Sequence, residues 1–369
     1  MVKAEKRSGS YSVRVSLTDP DTGERTQKRV TARTKRELDV AVSDLKTTWR
    51  TGQYIAPATE SLSGYLNDWL GTLSGKPSTV LIRERHVRFH IGQDAIASVP
   101  LGRLRRSHVQ TFTDRLARQH APNTVRGIIG SLRLALRRAV MLGIIAVDPT
   151  AGVQLPARST KRPDVLTQEQ ARLLVSGTRD DDWHAAWVLM VTIGLRRGEV
   201  IGLRWGDVNI EAGTLTVART ATRDSAGDWT IGDSAKTPTA HRTVRLPSVA
   251  VDALRRHRVK QVERRLSLGS AWLDSGAVFD DGTGAHHPKP GRLALAFGKA
   301  LVGLDLPRIT PHVLRHTAAT NALQAGVPVH AVARMLGHAD PAITLRTYAH
   351  VLEAMEVQSA DRIDRLYGT

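Results

Sequence analysis

The sequence predicts a multidomain, mainly α-helical protein. It predicts a small N-terminal module of β-sheet plus helix, then an all-α domain, then a mostly α domain with a small antiparallel sheet. Three observations predict this fold class: strict apolar/polar alternation near the N-terminus, apolar residues at helical spacing through most of the rest, and short β-prone stretches within the last third. A chain of 369 residues is long enough for two or three domains with cores of their own.

The composition favours a polyanionic partner. Lys and Arg total 53 against 35 Asp and Glu, a formal net charge of +18. There is no Cys, which excludes disulfides and thiolate metal sites and fits an intracellular protein. The most apolar stretch, residues 185–195, is shorter than the roughly 18 residues of a membrane span. The charged start, residues 1–7, does not resemble a secretory signal, so we expect a cytoplasmic protein without a membrane partner.

Residues 1–55 form the predicted N-terminal module. Alternation over residues 11–17 predicts a half-buried strand, residues 19–23 have turn chemistry, and residues 25–31 predict a return strand. Thr34 and Glu37 form a capping box that opens a helix. The apolar face of that helix comprises Leu38, Ala41, Val42, Leu45 and Trp49. Residues 52–60 look like a linker.

Residues 60–156 are predicted to be all helical. One stripe comprises Leu62, Tyr65, Leu66, Trp69, Leu70 and Leu73. Residues 107–110 resemble a second capping box, and Asn123 is expected to cap a long helix. That helix directs Val125, Ile128, Ile129, Leu132, Leu136 and Val140 inward. Arg126, Arg133 and Arg137 fall on a different face, which is either an ordinary solvated surface or a contact for DNA phosphates.

The basic, Pro-containing residues 157–165 suit a flexible linker along a charged partner, and residues 166–369 form the predicted third domain. This third domain begins with a capping box at residues 167–170, followed by helices to about Leu203. An antiparallel patch follows, with strands at residues 214–218, 229–231 and 243–246. Pro311 is expected to open a helix that Gly326 ends, and Asp340 with Pro341 to open another.

Six side chains in the second half of the chain suit phosphodiester chemistry without a metal. They are Arg196, Lys236, His312, Arg315, His338 and Tyr348. Two guanidinium groups can neutralise the non-bridging oxygens of a phosphate through forked hydrogen bonds. A phenol can be the nucleophile, while a lysine or an imidazole moves protons.

The local settings of these residues resemble those of the tyrosine recombinases, specifically the phage-type integrases. The matching segments are Gly-Leu-Arg196-x-x-Glu199, His312-x-x-Arg315-His316-Thr317, and Leu336-Gly-His338 with Tyr348 ten positions later. The resemblance covers nearly the whole chain, and several such segments in family order are far more specific than any one alone.

The resemblance implies a role for each residue. Arg196 and Arg315 would bind the scissile phosphate, with Glu199 either orienting Arg196 or closing a helix contact. Tyr348 would be the nucleophile, and Lys236, in the hairpin, would be the general acid for the 5′ oxygen. His312 would transfer protons or contact the phosphate, and His338 would form a hydrogen bond to the phosphate or to the target oxygen of the tyrosine.

Other interpretations of these residues stay open from the sequence. The arginines are ordinary surface residues, Lys236 is a solvated hairpin residue, or Tyr348 is a core residue. His316 is expected to point elsewhere and to be structural. A zinc site of His312, His316 and His338 fits the helical spacing, but no Cys and no suitably placed carboxylate completes it.

The resemblance implies a three-domain integrase. Residues 1–55 would bind arm-type sites, while the other two domains would close around the core site of double-stranded DNA. The 3′-phosphotyrosyl ester conserves the bond energy, so no cofactor, ATP or metal is expected. The implied working unit is a homotetramer in the cytoplasm of a bacterial host, at the nucleoid, with a host DNA-bending protein and an excision factor as possible partners. The alternatives are a type IB topoisomerase and a catalytically silent DNA-binding regulator.

Overall fold

A computed structural model describes most of the chain, in two compact units, Met1–Ser159 and Thr160–Thr369. The described residues are 5–7, 9–18, 23, 25–50, 58–158, 164–224, 226–233, 241–284, 289–338, 340–349 and 351. Lys236 lies outside them, as do most of the expected turn at 19–23, most of both expected linkers and the tail beyond Val351. Within the described ranges, no helix has the length and apolar character needed to cross a bilayer. The mainly helical, multidomain fold class is confirmed.

The N-terminal module is a three-stranded antiparallel sheet with one helix. Its elements are β1 (Glu5–Arg7), β2 (Ser10–Thr18), β3 (Arg25–Ala32) and α1 (Lys35–Arg50). The two predicted strands are confirmed, whereas β1 is too short to give a sequence pattern. The capping box is confirmed, since Thr34 Oγ1 accepts from the Glu37 amide at 3.2 Å and Glu37 Oε2 accepts from the Thr34 amide at 3.2 Å. The core of this module joins alternate β2 side chains to the buried Leu38.

The rest of the first unit is helical, as predicted. Its helices are α2 (Leu62–Gly71), α3 (Pro77–His86), α4 (Arg106–Gln119) and α5 (Pro122–Met141). A π-helical turn at Val87–Ile91 continues α3, and two 3₁₀ turns at Ala95–Ser98 and Leu101–Arg103 lead to α4. The inward face predicted for α5 is confirmed, because five of its six residues are fully buried and Val140 packs partly buried beside them.

Two predicted helix starts in this unit are wrong. α4 begins at Arg106, before the expected box, and His108 Nδ1 accepts from the Arg105 amide at 3.1 Å. α5 begins at Pro122, so Asn123 lies inside the helix. The fixed φ of proline and its missing amide donor suit the first helical position, which decides the start of α5.

The second unit surrounds one helix that is buried along nearly its whole length. Its helices are α6 (Gln168–Gly177), α7 (His184–Thr192), α8 (Arg197–Gly202), α9 (Ser248–Leu268), α10 (Pro290–Ala300), α11 (Pro311–Gln324), α12 (Val329–Leu336) and α13 (residues 341–349). Every residue of α7 from His184 to Val191 is buried, and α6, α8, α9 and α11 pack around it. The predicted starts at Thr167 and Asp340 and the predicted end at Gly326 are confirmed.

The predicted single β patch is wrong, because the strands form two sheets. The strands are β4 (Val208–Asn209), β5 (Thr214–Val217), β6 (Arg219–Arg223), β7 (Trp229–Asp233) and β8 (Arg242–Arg245). One sheet has the order β4-β5-β8 and the other pairs β6 with β7. β6 packs against α8 so closely that a Cβ on Gly202 would lie 2.8 Å from the backbone of Arg219. Its sequence, Arg-Thr-Ala-Thr-Arg, has no alternating apolar pattern that could have predicted it.

The packing of α5 leads to a testable difference between two leucines on this helix. Leu132 is fully buried, whereas Leu134 is 42% exposed. We expect Leu132→Ala to lower the free energy of unfolding by about 2–5 kcal/mol, because it leaves a cavity in the helical core. Leu134→Ala is the matched control, expected to change it by no more than about 0.5 kcal/mol. Urea unfolding followed by circular dichroism measures both, and equal effects would contradict this packing.

Candidate active site

Three arginines converge on the C-terminal end of α12. The carbonyls of residues 335–337 accept, in order, from Arg242 Nε at 2.8 Å, Arg315 Nη2 at 2.8 Å and Arg196 Nη2 at 3.4 Å. The last carbonyls of a helix have no partners within the helix and carry the negative end of its dipole. The end of α12 therefore holds three guanidinium groups close together despite their like charge.

Gly337 makes this arrangement possible. α12 ends there in the left-handed conformation, with φ of 67°, which glycine adopts at little cost. A Cβ at this position would also lie 2.6 Å from Arg242 Nη1. The Leu-Gly-His sequence is thus explained locally, because glycine both turns the chain towards His338 and leaves room for a guanidinium group.

Glu199 is the carboxylate that holds two of the arginines. It is buried and accepts from Arg196 Nη1 at 2.8 Å and from the Arg196 amide at 2.9 Å. Arg242 donates to both of its oxygens, at 3.2 and 2.9 Å. Burial alone would raise the pKa of Glu199, but the hydrogen bonds and charge of Arg242, with those of Arg196, hold it below its ordinary value. Glu199 is therefore ionised at neutral pH.

Arg315 is the most enclosed of the predicted site arginines. It is 4% exposed and donates through Nη1 to the Gly194 carbonyl at 2.6 Å, in addition to its bond to α12. Burial, followed by the neighbouring Arg196, lowers the pKa of Arg315 to about 10. Its guanidinium remains charged at neutral pH, in surroundings where an arriving anion would be strongly favoured. Arg196 is more accessible, with 43% of its side chain exposed.

Tyr348 lies on α13 with its ring in a small apolar cluster that includes Leu323 and Leu336. The residue is 3% exposed. Burial raises the pKa of Tyr348 to about 12, although nearby Arg315 lowers it. The loss of hydration on burial outweighs the charge of Arg315, so the phenol is protonated in the free protein.

His316 is the contact of the Tyr348 hydroxyl, with Nδ1 at 2.9 Å from the phenolic oxygen. The expectation that His316 points elsewhere is therefore wrong. α11 brings residues four apart onto one face, so His316 lies beside His312, with ring centroids 4.8 Å apart. Burial, followed by His312 and Arg315, lowers the pKa of His316 to about 4. The neutral imidazole can accept the phenolic hydrogen.

The other two histidines are also neutral at physiological pH. His338 Nδ1 lies 2.7 Å from Thr344 Oγ1, which fixes the ring, and burial followed by Arg315 lowers its pKa to about 4. His312 is at the exposed start of α11, where burial of part of the ring and then Arg315 lower its pKa. Neutral imidazoles can donate and accept protons, which suits acid–base catalysis near an arginine cluster.

The structure thus brings five of the six predicted site residues to the ends of α8, α11, α12 and α13, while Lys236 lies outside the described residues. In the ranges that are described, no group of three or more His, Asp or Glu residues could hold a metal ion. The sequence interpretation missed Arg242, which the structure shows to be buried on the inward face of β8 together with Val244.

Arg126, Arg133 and Arg137, the predicted DNA contacts, lie in the first unit and each has an intramolecular partner. Arg126 donates to the Pro156 carbonyl at 2.8 Å, and Arg133 to Thr150 Oγ1 at 3.3 Å. Arg137 lies 3.4 Å from Asp148 and is 69% exposed. These arginines hold the segment that follows α5, and phosphate contact would use their remaining donors.

Comparison with known proteins gives a family that agrees with this geometry. The model of the phage integrase family matches residues 164–355, which is more than half of the chain. The chain belongs to the phage integrase family. A XerC-like tyrosine recombinase of Caldanaerobacter subterraneus is 26% identical over 377 residues, covering 97% of this chain and 96% of that protein. An integrase of Streptomyces ambofaciens is 25% identical, covering 89% and 86%.

Solved structures show the same fold. The Tn1549 transposon integrase in complex with a circular intermediate DNA has a TM-score of 0.66 at 21% identity, covering 82% of this chain and 99% of that one. A lambda integrase tetramer bound to a Holliday junction has a TM-score of 0.57 at 17% identity, covering 92% of each chain. This family member is a tyrosine recombinase, an enzyme that cleaves and rejoins DNA at specific sites. The comparisons favour neither a topoisomerase nor a silent regulator.

The buried His184 and the half-buried His316 and His338 predict how the stability of the second unit depends on pH. His184, His316 and His338 each have a pKa of about 4 in the folded protein, below the ordinary value of 6.5. Between these values the unfolded chain binds more protons, so stability is full above pH 6.5 and falls as the pH drops towards 4. We expect the melting temperature to fall between pH 7.5 and 5.5.

His184 provides the control for this prediction, because it bonds Thr178 inside the fold and is away from the arginine cluster. His184→Gln should make the fall in melting temperature between pH 7.5 and 5.5 shallower. Scanning calorimetry at several pH values measures this, and a slope unchanged by the substitution would contradict the assignment.

Proposed function

We propose that Tyr348 attacks the scissile phosphate of a DNA strand and that Arg196 and Arg315 stabilise the transition state. The observation that carries this proposal is the convergence of both arginines and the phenol around the end of α12. Attack forms a 3′-phosphotyrosyl bond and breaks the bond from phosphorus to the 5′ oxygen. The 5′ hydroxyl of a partner strand then reverses the step, so bond energy is conserved and neither ATP nor metal takes part.

The arginines act where negative charge increases. Fixed donors aimed at a phosphate are worth most in the transition state, because they need no reorganisation there. Arg315 is buried and held by two carbonyls, so its position is fixed before DNA arrives. Arg196 is more exposed, which lets it meet the substrate directly.

The protons move in two places in this proposal. The phenolic proton leaves Tyr348 as it attacks, and the neutral His316 ring, 2.9 Å away, is placed to receive it. Lys236 supplies a proton to the departing 5′ oxygen, a role that rests on its position in the sequence. His312 and His338 contact the phosphate or relay protons beside it, since both are neutral and close to Arg315.

The working unit we propose is a homotetramer on two double-stranded DNA sites, which exchanges strands during integration or excision. The helical domain, residues 60–156, and the catalytic domain, residues 166–369, would grip the core site, joined by the basic linker at 157–165. Arg126, Arg133 and Arg137 would contribute phosphate contacts. A host DNA-bending protein and an excision factor would bring distant sites together.

The N-terminal module, residues 1–55, would bind arm-type sites through the sheet face opposite α1. Arg14 and Arg29 are paired across β2 and β3 on that exposed face, while Val13 and Val15 are buried on the helix side. Like charges directly opposite each other destabilise a sheet unless an anion lies between them. The pair therefore suits a phosphate backbone.

Replacement of the nucleophile tests the proposed reaction. Tyr348→Phe should abolish the covalent protein–DNA adduct, because no oxygen remains to attack. The affinity for a core site should change by less than about twofold. This is a small change in binding free energy, because a tenfold change in affinity corresponds to about 1.4 kcal/mol. A labelled suicide oligonucleotide followed by denaturing electrophoresis measures the adduct. A labelled adduct with the variant, or none with the wild type on a cognate site, would rule the mechanism out.

The arm-binding proposal predicts a change in salt dependence. Arg14→Ala/Arg29→Ala should lower the slope of log affinity against log salt by about two for arm-site DNA, since each lost phosphate contact removes about 0.9. Core-site cleavage should stay unchanged. Arg36→Ala on the helix is a matched control, because Arg36 is exposed but not on the sheet face. If the control lowers the slope equally, the sheet face is not the contact.

A further inference from the structure

Arg242 is a buried arginine to which the mechanism above gives no role. It lies at the first position of β8, with 4% of its side chain exposed. A buried charge is costly unless it is paired and hydrogen-bonded. Arg242 meets that condition with three contacts: two bonds to the Glu199 carboxylate and one to the Met335 carbonyl.

The contacts of Arg242 determine how much positive charge Arg196 can offer a phosphate. Glu199 is shared, because Arg242 donates to both of its oxygens while the guanidinium of Arg196 donates only to Oε1. If Arg242 were neutral, the guanidinium of Arg196 would be the only cationic side chain, among the residues that the structure describes, bonded to this buried carboxylate. Arg196 would then be drawn into a full ion pair, and its attraction for the DNA phosphate would fall.

Arg242 also fixes the geometry between two elements that carry site residues. Its Nε holds the Met335 carbonyl near the end of α12, and its Nη atoms hold Glu199 on α8. Its guanidinium packs where a Cβ on Gly337 would be, directly before His338. One side chain thus sets the distance between the start of α8, which positions Arg196, and the turn that positions His338.

We propose that Arg242 is a positioning residue that neutralises Glu199 and so keeps Arg196 free to bind the scissile phosphate. This inference rests on the proposed function, in which Arg196 binds that phosphate. Arg242 itself touches neither the substrate nor the reacting atoms. Its effect on the charge of Arg196 adds to its effect on geometry, and this electrostatic part separates it from an arginine that only supports the fold.

The test compares two substrates in single-turnover strand cleavage with saturating enzyme. One suicide duplex carries the ordinary phosphate at the scissile position, and the other an uncharged methylphosphonate there. Arg242→Met should slow cleavage of the ordinary duplex roughly 10- to 100-fold, by analogy with the loss seen when groups that orient metal ligands are removed. The loss of cleavage rate on the methylphosphonate duplex should be several-fold smaller, because its scissile group carries less negative charge for Arg196 to neutralise.

Two further variants separate charge from folding. Arg242→Met/Glu199→Gln leaves no buried carboxylate to capture Arg196, so cleavage of the ordinary duplex should recover at least several-fold relative to Arg242→Met. Arg219→Met is the matched control: Arg219 is a partly buried arginine that bonds both oxygens of Asp207 in the same unit, away from α12. It should leave the ratio of the two substrate rates unchanged. Circular dichroism at the assay temperature gives the folded fraction of each variant.

The outcomes distinguish the alternatives. Equal losses on both substrates, or no recovery in the double variant, would overturn the inference and make Arg242 a structural residue only. A wild-type rate in folded Arg242→Met would overturn it as well. If Arg242→Met does not fold, the rates on the two duplexes are compared in the double variant and in Arg242→Lys instead. Arg242→Lys keeps the positive charge but lacks the forked guanidinium donors. Failure of the proposed function looks different, since the wild type itself would then give no adduct.

Discussion

The site depends on one interaction, the donation of three guanidinium groups to three successive carbonyls at the end of α12. Arginines with like charge repel, and in a partly buried site that repulsion is poorly screened. The helix end offsets it with the negative end of its dipole and with carbonyls that no helical amide can reach. Because Arg196, Arg242 and Arg315 come from α8, β8 and α11, the end of α12 also joins these elements.

A second constraint follows from burial of Tyr348, the proposed nucleophile. The Tyr348 hydroxyl lies against a neutral imidazole, and its pKa is raised to about 12. The phenol therefore stays protonated in the free protein, and its reactivity depends on groups that act during attack. This arrangement suits a proposed nucleophile that reacts with one phosphate and not with other electrophiles.

The charge of the protein is organised at two levels. The net charge of +18 provides attraction for a polyanion over long distances, and it is spread over many exposed arginines. The site instead holds a few buried charges in defined pairs, with histidines that remain neutral beside them. In the proposed function, affinity for DNA and catalysis draw on different arginines, so the composition alone indicates a partner but not a mechanism.

The sequence by itself determined the helical class, the inward face of α5, the box at Thr167 and the family segments around Arg196, Arg315 and Tyr348. Each depends on residues close together in the chain, where periodicity and capping chemistry act directly. Only the tertiary structure decided that Arg242 shares Glu199 with Arg196 and that His316 meets the Tyr348 hydroxyl. Those contacts join residues 32 to 43 positions apart, and local pattern carries no information about which distant side chains packing will bring together. It also decided that β6 pairs with β7 in a separate sheet, because close packing on Gly198 and Gly202 of α8, and not apolar alternation, sets that strand in place.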